Sequence, residues 1–160
     1  METNNTKTEQ ISEKNCPCCG ASMKMHWHRL SKGLANTLIE FKKEILKRKI
    51  NKIHIKDECR LSKTQFNNFQ KLRYHGLVAK YKNPITKAHE GGYWLLTRRG
   101  NLFLKNELAI PLKVQTFRNK IVDKTDELYL LKDILDKNDM PIWDAIGDFE
   151  FDYAGTTDID

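Results

Sequence analysis

The chain has 160 residues and a formal net charge of +7, with 28 Lys or Arg against 21 Asp or Glu. Its length suits one ordinary domain with short extensions, and a hydrophobic fraction of 39% can support a packed core. No apolar stretch approaches the roughly 20 residues that a membrane-spanning helix needs, and the polar N-terminus lacks the apolar segment of a secretory signal. These features predict a cytoplasmic protein without a membrane partner, whose basic charge favours polyanions.

The N-terminal part predicts a polar tail followed by a cysteine knuckle and a strand. Residues 1–15 have the polar composition of a disordered terminus. Residues 16–30 begin with CPCCG, which holds three of the four cysteines, and continue with the alternating stretch ASMKMHWHRL. Such crowding is typical of a reducing compartment and of a metal or thiol role, rather than of a disulfide framework.

The knuckle supplies two cysteines at the spacing of a zinc site, with a glycine that allows the chain to turn toward the metal. Structural zinc needs four ligands, and the usual second Cys-x-x-Cys pair is absent. The two histidines of the following strand are two residues apart, so both side chains point to one face and can complete a Cys2His2 site. The predicted ligands are Cys16, Cys19, His26 and His28. Cys18 and Cys59 are alternative ligands, and a knuckle without metal is the alternative interpretation.

Residues 31–107 alternate between helical and strand patterns. In SKGLANTLIEFKKEILKRK, apolar residues recur at helical spacing, which predicts an amphipathic helix with Ser31 as its N-cap. The apolar residues of this face are Leu34, Leu38, Phe41 and Ile45. The stretch NKIHIK then predicts a short strand, and DECR predicts a turn of helix or a tight connection.

The stretch LSKTQFNNFQKLRYHGLVAKY predicts a capped helix, a glycine stop and a strand. Ser62 and Gln65 fit a capping box, and Gly76 takes the position that follows a helix C-cap. The residues expected on the buried face are Phe66, Phe69, Leu72 and Gly76. The opposite face carries amides, a hydroxyl and lysines. Most of the functional interpretation depends on what this face contacts.

The rest of the chain predicts strands, a wing and an acidic extension. LVAKY and GYWLLT predict two strands joined by a loop, KNPITKAHEG, and RRGNLFLKNE predicts a short helix. In residues 108–160, KVQTFRNKIVDK predicts a hairpin that turns near residues 118–120, and DELYLLKDILDK predicts a helix. MPIWDAIGDFEFDYAG predicts a short helix and an aromatic, acidic end.

The segment KLRYHGLV…GGYWLLTRRGNLFL resembles the pattern shared by many winged-helix proteins. Over residues 16–153 the chain also resembles a group of uncharacterised phage and prophage proteins with a CPxCG knuckle, an RxL step into a first helix and an end similar to IWDAIGDFEFDY. The extra stretch DKTDELYLLKDILDKND departs from that group. The resemblance implies an α+β fold, a winged helix-turn-helix over residues 31–107 with an N-terminal zinc-knuckle-like segment and a C-terminal hairpin and helix extension.

The outer face of the second predicted helix has the chemistry of a DNA-reading surface. Asn pairs with adenine, Lys reaches guanine or phosphate, and Thr contacts a base edge or a thymine methyl group. The residues expected to contact double-stranded DNA are Lys63, Thr64, Asn67, Asn68, Lys71 and Tyr74, with Lys82 and Lys87 from the wing. Residues 41–82 support this expectation, because they hold 13 Lys or Arg and 3 Asp or Glu.

These features predict a DNA-binding protein, acting as a phage-type transcriptional regulator or replication accessory factor in the host cytoplasm. The alternative is a protein-binding adapter, such as an inhibitor of a host defence protein, that docks through the winged helix. The sequence leaves monomer and homodimer open. It predicts no enzyme: HEGGYW lacks the spacing of a phosphate-binding loop, Cys18 has no assigned base, and an acidic cluster is more often a solvated tail than a Mg²⁺ site. The cluster comprises Asp144, Asp148, Glu150 and Asp152.

The acidic end raises a separate question, because residues 123–160 hold 12 Asp or Glu against 3 Lys or Arg. Such a segment can lie across the basic face and compete with DNA. Its aromatic residues can equally dock on the core away from that face. The aromatic residues are Trp143, Phe149, Phe151 and Tyr153. They favour docking over free solvation, since disordered tails are poor in aromatic residues.

Overall fold

The computed structural model describes residues 11–15, 22–147 and 149–155 and shows an α+β fold. The helices are α1 (Lys32–Arg48), α2 (Lys63–Asn68), α3 (Lys71–Tyr74), α4 (Arg98–Leu104), α5 (Leu131–Ile134) and α6 (Trp143–Ile146). The strands are β1 (Ile11–Asn15), β2 (Ser22–Arg29), β3 (Ile53–His54), β4 (Val78–Lys82), β5 (His89–Leu96), β6 (Ile110–Pro111), β7 (Lys113–Phe117), β8 (Lys120–Lys124) and β9 (Leu128–Tyr129). They form three small sheets with the orders β1-β2-β7-β8, β3-β5-β4 and β6-β9, and all paired strands are antiparallel.

The helix α1 organises the core, as its apolar spacing predicts. The Ser31 side chain accepts a hydrogen bond from the backbone N–H of Leu34 at 3.2 Å, which confirms the predicted N-cap. All four residues of the predicted apolar face are buried: Leu34, Leu38, Phe41 and Ile45. Each contributes about 1.5–3 kcal/mol relative to an exposed side chain. The helix ends at Lys49, which has a left-handed conformation (φ 59°).

The second predicted helix is present as two short helices, α2 and α3, joined at Phe69 and Gln70. The capping box is confirmed, because Ser62 and Gln65 each accept a hydrogen bond from the backbone of the other. Both joining residues keep right-handed helical dihedrals. However, the Phe69 N–H bonds to the Phe66 carbonyl, three residues back, so the helix is more tightly wound there.

The predicted buried face of this helix is correct for Phe69 and Leu72 but wrong for Phe66. Phe69 and Leu72 are 2% and 0% exposed, whereas Phe66 is 41% exposed. Gly76 has a φ of +76°, and a Cβ there would lie 3.0 Å from Cδ of Arg99, so the predicted glycine stop is confirmed.

The four-stranded sheet combines the N-terminal strands β1 and β2 with the β7–β8 hairpin, which lies about 85 residues later in the chain. Its β7–β8 hairpin confirms the predicted turn, since Arg118 and Asn119 both have positive φ, 50° and 65°. The strand β1 lies inside the segment predicted to be a disordered tail. The prediction of disorder was wrong for residues 11–15, because their backbone pairs with that of β2.

The C-terminal extension differs in part from its predicted structure. Leu128 and Tyr129 were predicted to be helical but form a strand that pairs with β6. Of the predicted helix, the part that is formed is α5. Beyond it, the aromatic end docks on the core, as its composition favours: Trp143, Phe149 and Phe151 pack against buried residues. Among the described residues, no helix is long and apolar enough to cross a membrane.

Candidate nucleic-acid interface

The N-terminal half of the predicted DNA-reading helix faces solvent. The side chains of Lys63, Thr64 and Asn67 on α2 are exposed, and Asn68 is half-buried. The capping box fixes where this helix starts. The side chains that sequence analysis assigned to base contact are therefore presented together on the first turns of one short helix, which is the end that a helix-turn-helix directs at base edges.

The C-terminal half of the same predicted face is covered by the four-stranded sheet. The Tyr74 ring stacks on the ring of His28 with centroids 4.7 Å apart. Its hydroxyl donates a hydrogen bond to Oδ1 of Asn119 at 2.8 Å. Lys71 is half-buried and close enough to His28 to affect its ionisation. Tyr74 and Lys71 thus join α3 to the sheet, and Tyr74 has its polar atom engaged within the protein.

The His28 imidazole, on which the Tyr74 ring stacks, lies in surroundings that disfavour its charged form. Burial, and then the positive charges of Lys71 and His26, lower the pKa of its imidazole. Its Nε2 is hydrogen-bonded to Oγ1 of Thr116 at 2.8 Å. The rings of His26 and His28 lie 6.5 Å apart on one face of β2, which confirms the predicted orientation of the pair.

The predicted zinc site lies only partly within the described residues. Cys16, Cys18 and Cys19 lie outside the described residues, as does Asp148 of the predicted acidic cluster. Asn15 pairs with Ser22, whereas His26 lies four residues further along β2, roughly 13 Å away at about 3.3 Å per residue. The predicted set of four zinc ligands therefore remains a prediction.

The alternative ligand Cys59 is unlike an exposed metal-binding thiol. It is 7% exposed, and burial, together with Glu44 and Glu40, raises its pKa to about 12. It is therefore a neutral thiol at neutral pH. Within the described part of the chain, no group of three or more His, Cys, Asp or Glu is arranged to hold a metal ion.

The predicted wing is a short, ordered connection between β4 and β5. Oδ1 of Asn83 accepts hydrogen bonds from the backbone N–H groups of Ile85 (2.9 Å) and Thr86 (3.1 Å), which form a turn. Lys87 follows with a φ of 65° and an exposed side chain, whereas Lys82 is half-buried at the base. Ile85 is 88% exposed at the tip.

The acidic C-terminal segment covers α1 and α4 and reaches β4. The indole N–H of Trp143 donates to the Leu104 carbonyl at 2.9 Å, and the Lys82 N–H donates to the Gly155 carbonyl at 3.0 Å. Lys42 is one of the 13 Lys or Arg in the basic block of residues 41–82. It is 3% exposed, with its ammonium 4.3 Å from the Trp143 ring centroid. Burial lowers the pKa of Lys42 to about 8. One lysine of the basic block is thus covered by the extension.

The structure also gathers cations that sequence analysis did not connect. Arg73, Arg99, Lys120 and Lys124 line one cleft between the end of α3, α4 and the β7–β8 hairpin. Lys124 lies within residues 123–160, which are acidic by net charge, and Lys120 lies just before them, so a charge count over sequence windows does not reveal the cluster. The alternation of Lys120, Val122 and Lys124 was the sequence signal that could have placed both lysines on one face of a strand.

Comparison of the chain with protein-family models, with curated proteins and with solved structures finds no match.

Proposed function

We propose that the protein binds double-stranded DNA as a winged helix-turn-helix protein, in the role of a regulator or replication accessory factor. The observation that carries this proposal is the exposed polar face of α2 within the element order α1-β3-α2-α3-β4-β5, whose strands have the sheet order β3-β5-β4. That order agrees with a winged helix in which a turn at residues 55–58 takes the place of the short helix before α2. The assignment to a phage-type protein is part of the proposal.

Base reading is assigned to the start of α2. Asn67 can donate to and accept from one adenine edge, and Lys63 can reach guanine or a backbone phosphate. Thr64 lies beside them and suits a thymine methyl group or a phosphate oxygen. The half-buried positions of Lys71 and Tyr74 restrict the contact to the first half of the predicted face.

The wing supplies the second contact. Lys87 is exposed and suits a phosphate or the minor groove. Ile85 at the tip is apolar and 88% exposed, and apolar side chains of this kind can wedge between base steps. The hydrogen bonds from Ile85 and Thr86 to the Asn83 side chain constrain the tip, so less conformational entropy is lost on binding.

The decisive experiment measures duplex affinity for two matched double variants. A preferred duplex is first selected from a randomised pool, and binding is then followed by fluorescence anisotropy. Lys63→Ala/Asn67→Ala is expected to weaken binding about tenfold or more, since each base contact contributes about 1–3 kcal/mol. The control variant Lys132→Ala/Asn138→Ala makes the same two substitutions, Lys to Ala and Asn to Ala, at exposed positions of the C-terminal extension. It is expected to leave duplex affinity unchanged.

Equal affinities of the two folded variants would overturn the assignment of α2. Salt gives a second criterion, because a protein that makes several phosphate contacts loses orders of magnitude in affinity between low and moderate salt.

The second candidate function is docking to another protein, and exposed apolar side chains favour it. Phe66 on α2 is 41% exposed and Ile85 on the wing is 88% exposed, so the surface that would meet DNA also offers apolar contacts. A protein partner held by such contacts would stay bound as salt rises. A pull-down from lysate with and without nuclease separates the two functions, because a partner bridged by DNA is lost on nuclease treatment.

A further inference from the structure

A cleft of about 730 Å³, separate from the exposed face of α2, has the composition of an anion-binding site. It lies between the C-terminal end of α3, α4 and the β7–β8 hairpin. Its charged side chains are all basic, and none of the described residues that line it is acidic. The cations are Arg73, Arg99, Lys120 and Lys124. Such a one-sign lining concentrates anions, because four positive charges reinforce one another within one concave surface.

Buried hydrogen-bonding groups without partners lie in the same wall. Nε of Arg73 and both ring nitrogens of His75 are buried and have no hydrogen-bond partner. The His75 side chain belongs to a residue that is only 3% exposed. Buried polar groups are nearly always paired in folded proteins, so this cluster is explained most simply by a ligand that supplies the missing partners.

The cleft suits an organic phosphate rather than a bare ion or a duplex. Its volume falls within the range of small-molecule sites, about 300–1,000 Å³. Pro111, Val114 and Ile121 give it an apolar side, which suits the organic part of a ligand. A duplex carries its phosphates on the outside of a wide cylinder, whereas a small molecule can enter a concave site of this volume.

We propose that this cleft binds a phosphorylated small molecule of nucleotide size. The phosphate lies between Arg73, Lys120 and Lys124, where guanidinium and ammonium groups donate charge-assisted hydrogen bonds. The organic part lies against the apolar side. This inference goes beyond the proposed DNA binding and does not depend on it. The ligand would touch Tyr74, which lines the cleft and connects α3 to the four-stranded sheet.

The test uses the full-length protein and three probes: ADP, inorganic phosphate and adenosine. Isothermal titration calorimetry is expected to show one ADP per chain, weaker binding of inorganic phosphate, and no binding of adenosine. Lys120→Gln/Lys124→Gln is expected to weaken ADP binding about tenfold or more, because two hydrogen bonds to a charged group are lost. Lys132→Gln/Lys137→Gln removes the same charge elsewhere on the surface and is expected to leave ADP binding unchanged.

Three results would overturn the proposal. The first is the absence of ADP and phosphate binding at millimolar concentration. The second is equal ADP affinity of the two double variants, or adenosine binding as tight as ADP binding. The third is a cleft that serves DNA: ADP fails to bind, while Lys120→Gln/Lys124→Gln weakens binding of a duplex without terminal phosphates. Thermal melting of both variants confirms that each is folded.

Discussion

The two halves of the predicted DNA-reading helix have opposite environments. On α2, Lys63 and Asn67 are exposed, whereas on α3 Tyr74 stacks on His28 and donates to Asn119, 45 residues along the chain. A helical pattern identifies the side that meets the core, but it carries no information about distant strands that cover the other side. The first half of this helix is therefore the more exposed to solvent, whereas the second half contacts the four-stranded sheet through Tyr74.

The largest expected difference between the halves is in stability. Leu72→Ala on α3 removes a side chain that is 0% exposed and should lower the free energy of unfolding by about 2–5 kcal/mol. Asn67→Ala on α2 is exposed and should change it by less than about 0.5 kcal/mol. Urea denaturation measures both. Similar losses in the two variants would mean that α2 is as tightly packed as α3.

A second difference is in the response to pH, which should act through His75 at the end of α3. Burial, with the nearby charges of His28 and Arg99, lowers its pKa from 6.5 to about 3. Below pH 6.5 the unfolded chain binds a proton that the folded protein does not. The free energy of unfolding should therefore fall with decreasing pH by about 1.4 kcal/mol per unit, and the loss should be complete near pH 3.

The variant His75→Gln isolates this contribution, because glutamine does not titrate. The difference in stability between wild type and variant should shrink as the pH falls from 7 to 4 in urea denaturation. A constant difference over that range would show that His75 titrates normally in the folded protein.

The smallest expected effect concerns the Tyr74 hydroxyl. Tyr74→Phe keeps the ring on His28 and removes the hydrogen bond to Asn119, so it should cost about 0.5–1.5 kcal/mol of stability and leave duplex affinity unchanged. Asn119→Gly keeps the turn, since glycine tolerates its φ of 65°. The two changes should be less than additive in a double-mutant cycle. Weaker duplex binding by Tyr74→Phe would place Tyr74 in the DNA contact after all.

Local features of the fold were predictable from sequence. The apolar face of α1 follows from helical spacing, and the Ser62–Gln65 capping box follows from two residues three positions apart. The β7–β8 turn and the stop at Gly76 follow from residues that tolerate positive φ. Each of these signals lies within a few residues of the feature that it determines.

Features that depend on distant contacts were not predictable. Phe66 was assigned to the core because its spacing from Phe69 and Leu72 is helical, but no residue of α2 is buried, so the core does not extend along this helix. Leu128 pairs with Pro111 as a strand although its neighbours have helical spacing. The basic cleft draws on three separate segments, and Lys124 lies in a stretch with net negative charge, so no single window of sequence contains the cleft.

The most direct test of the account is a map of the surface that duplex DNA contacts, obtained from ¹H–¹⁵N NMR spectra during titration with the selected duplex. The account predicts that backbone amide signals shift for residues 63–68 and for residues 83–88 of the wing, while those of residues 71–74 and of the β7–β8 hairpin change little. Shifts confined to the hairpin, or no shifts at all, would contradict it.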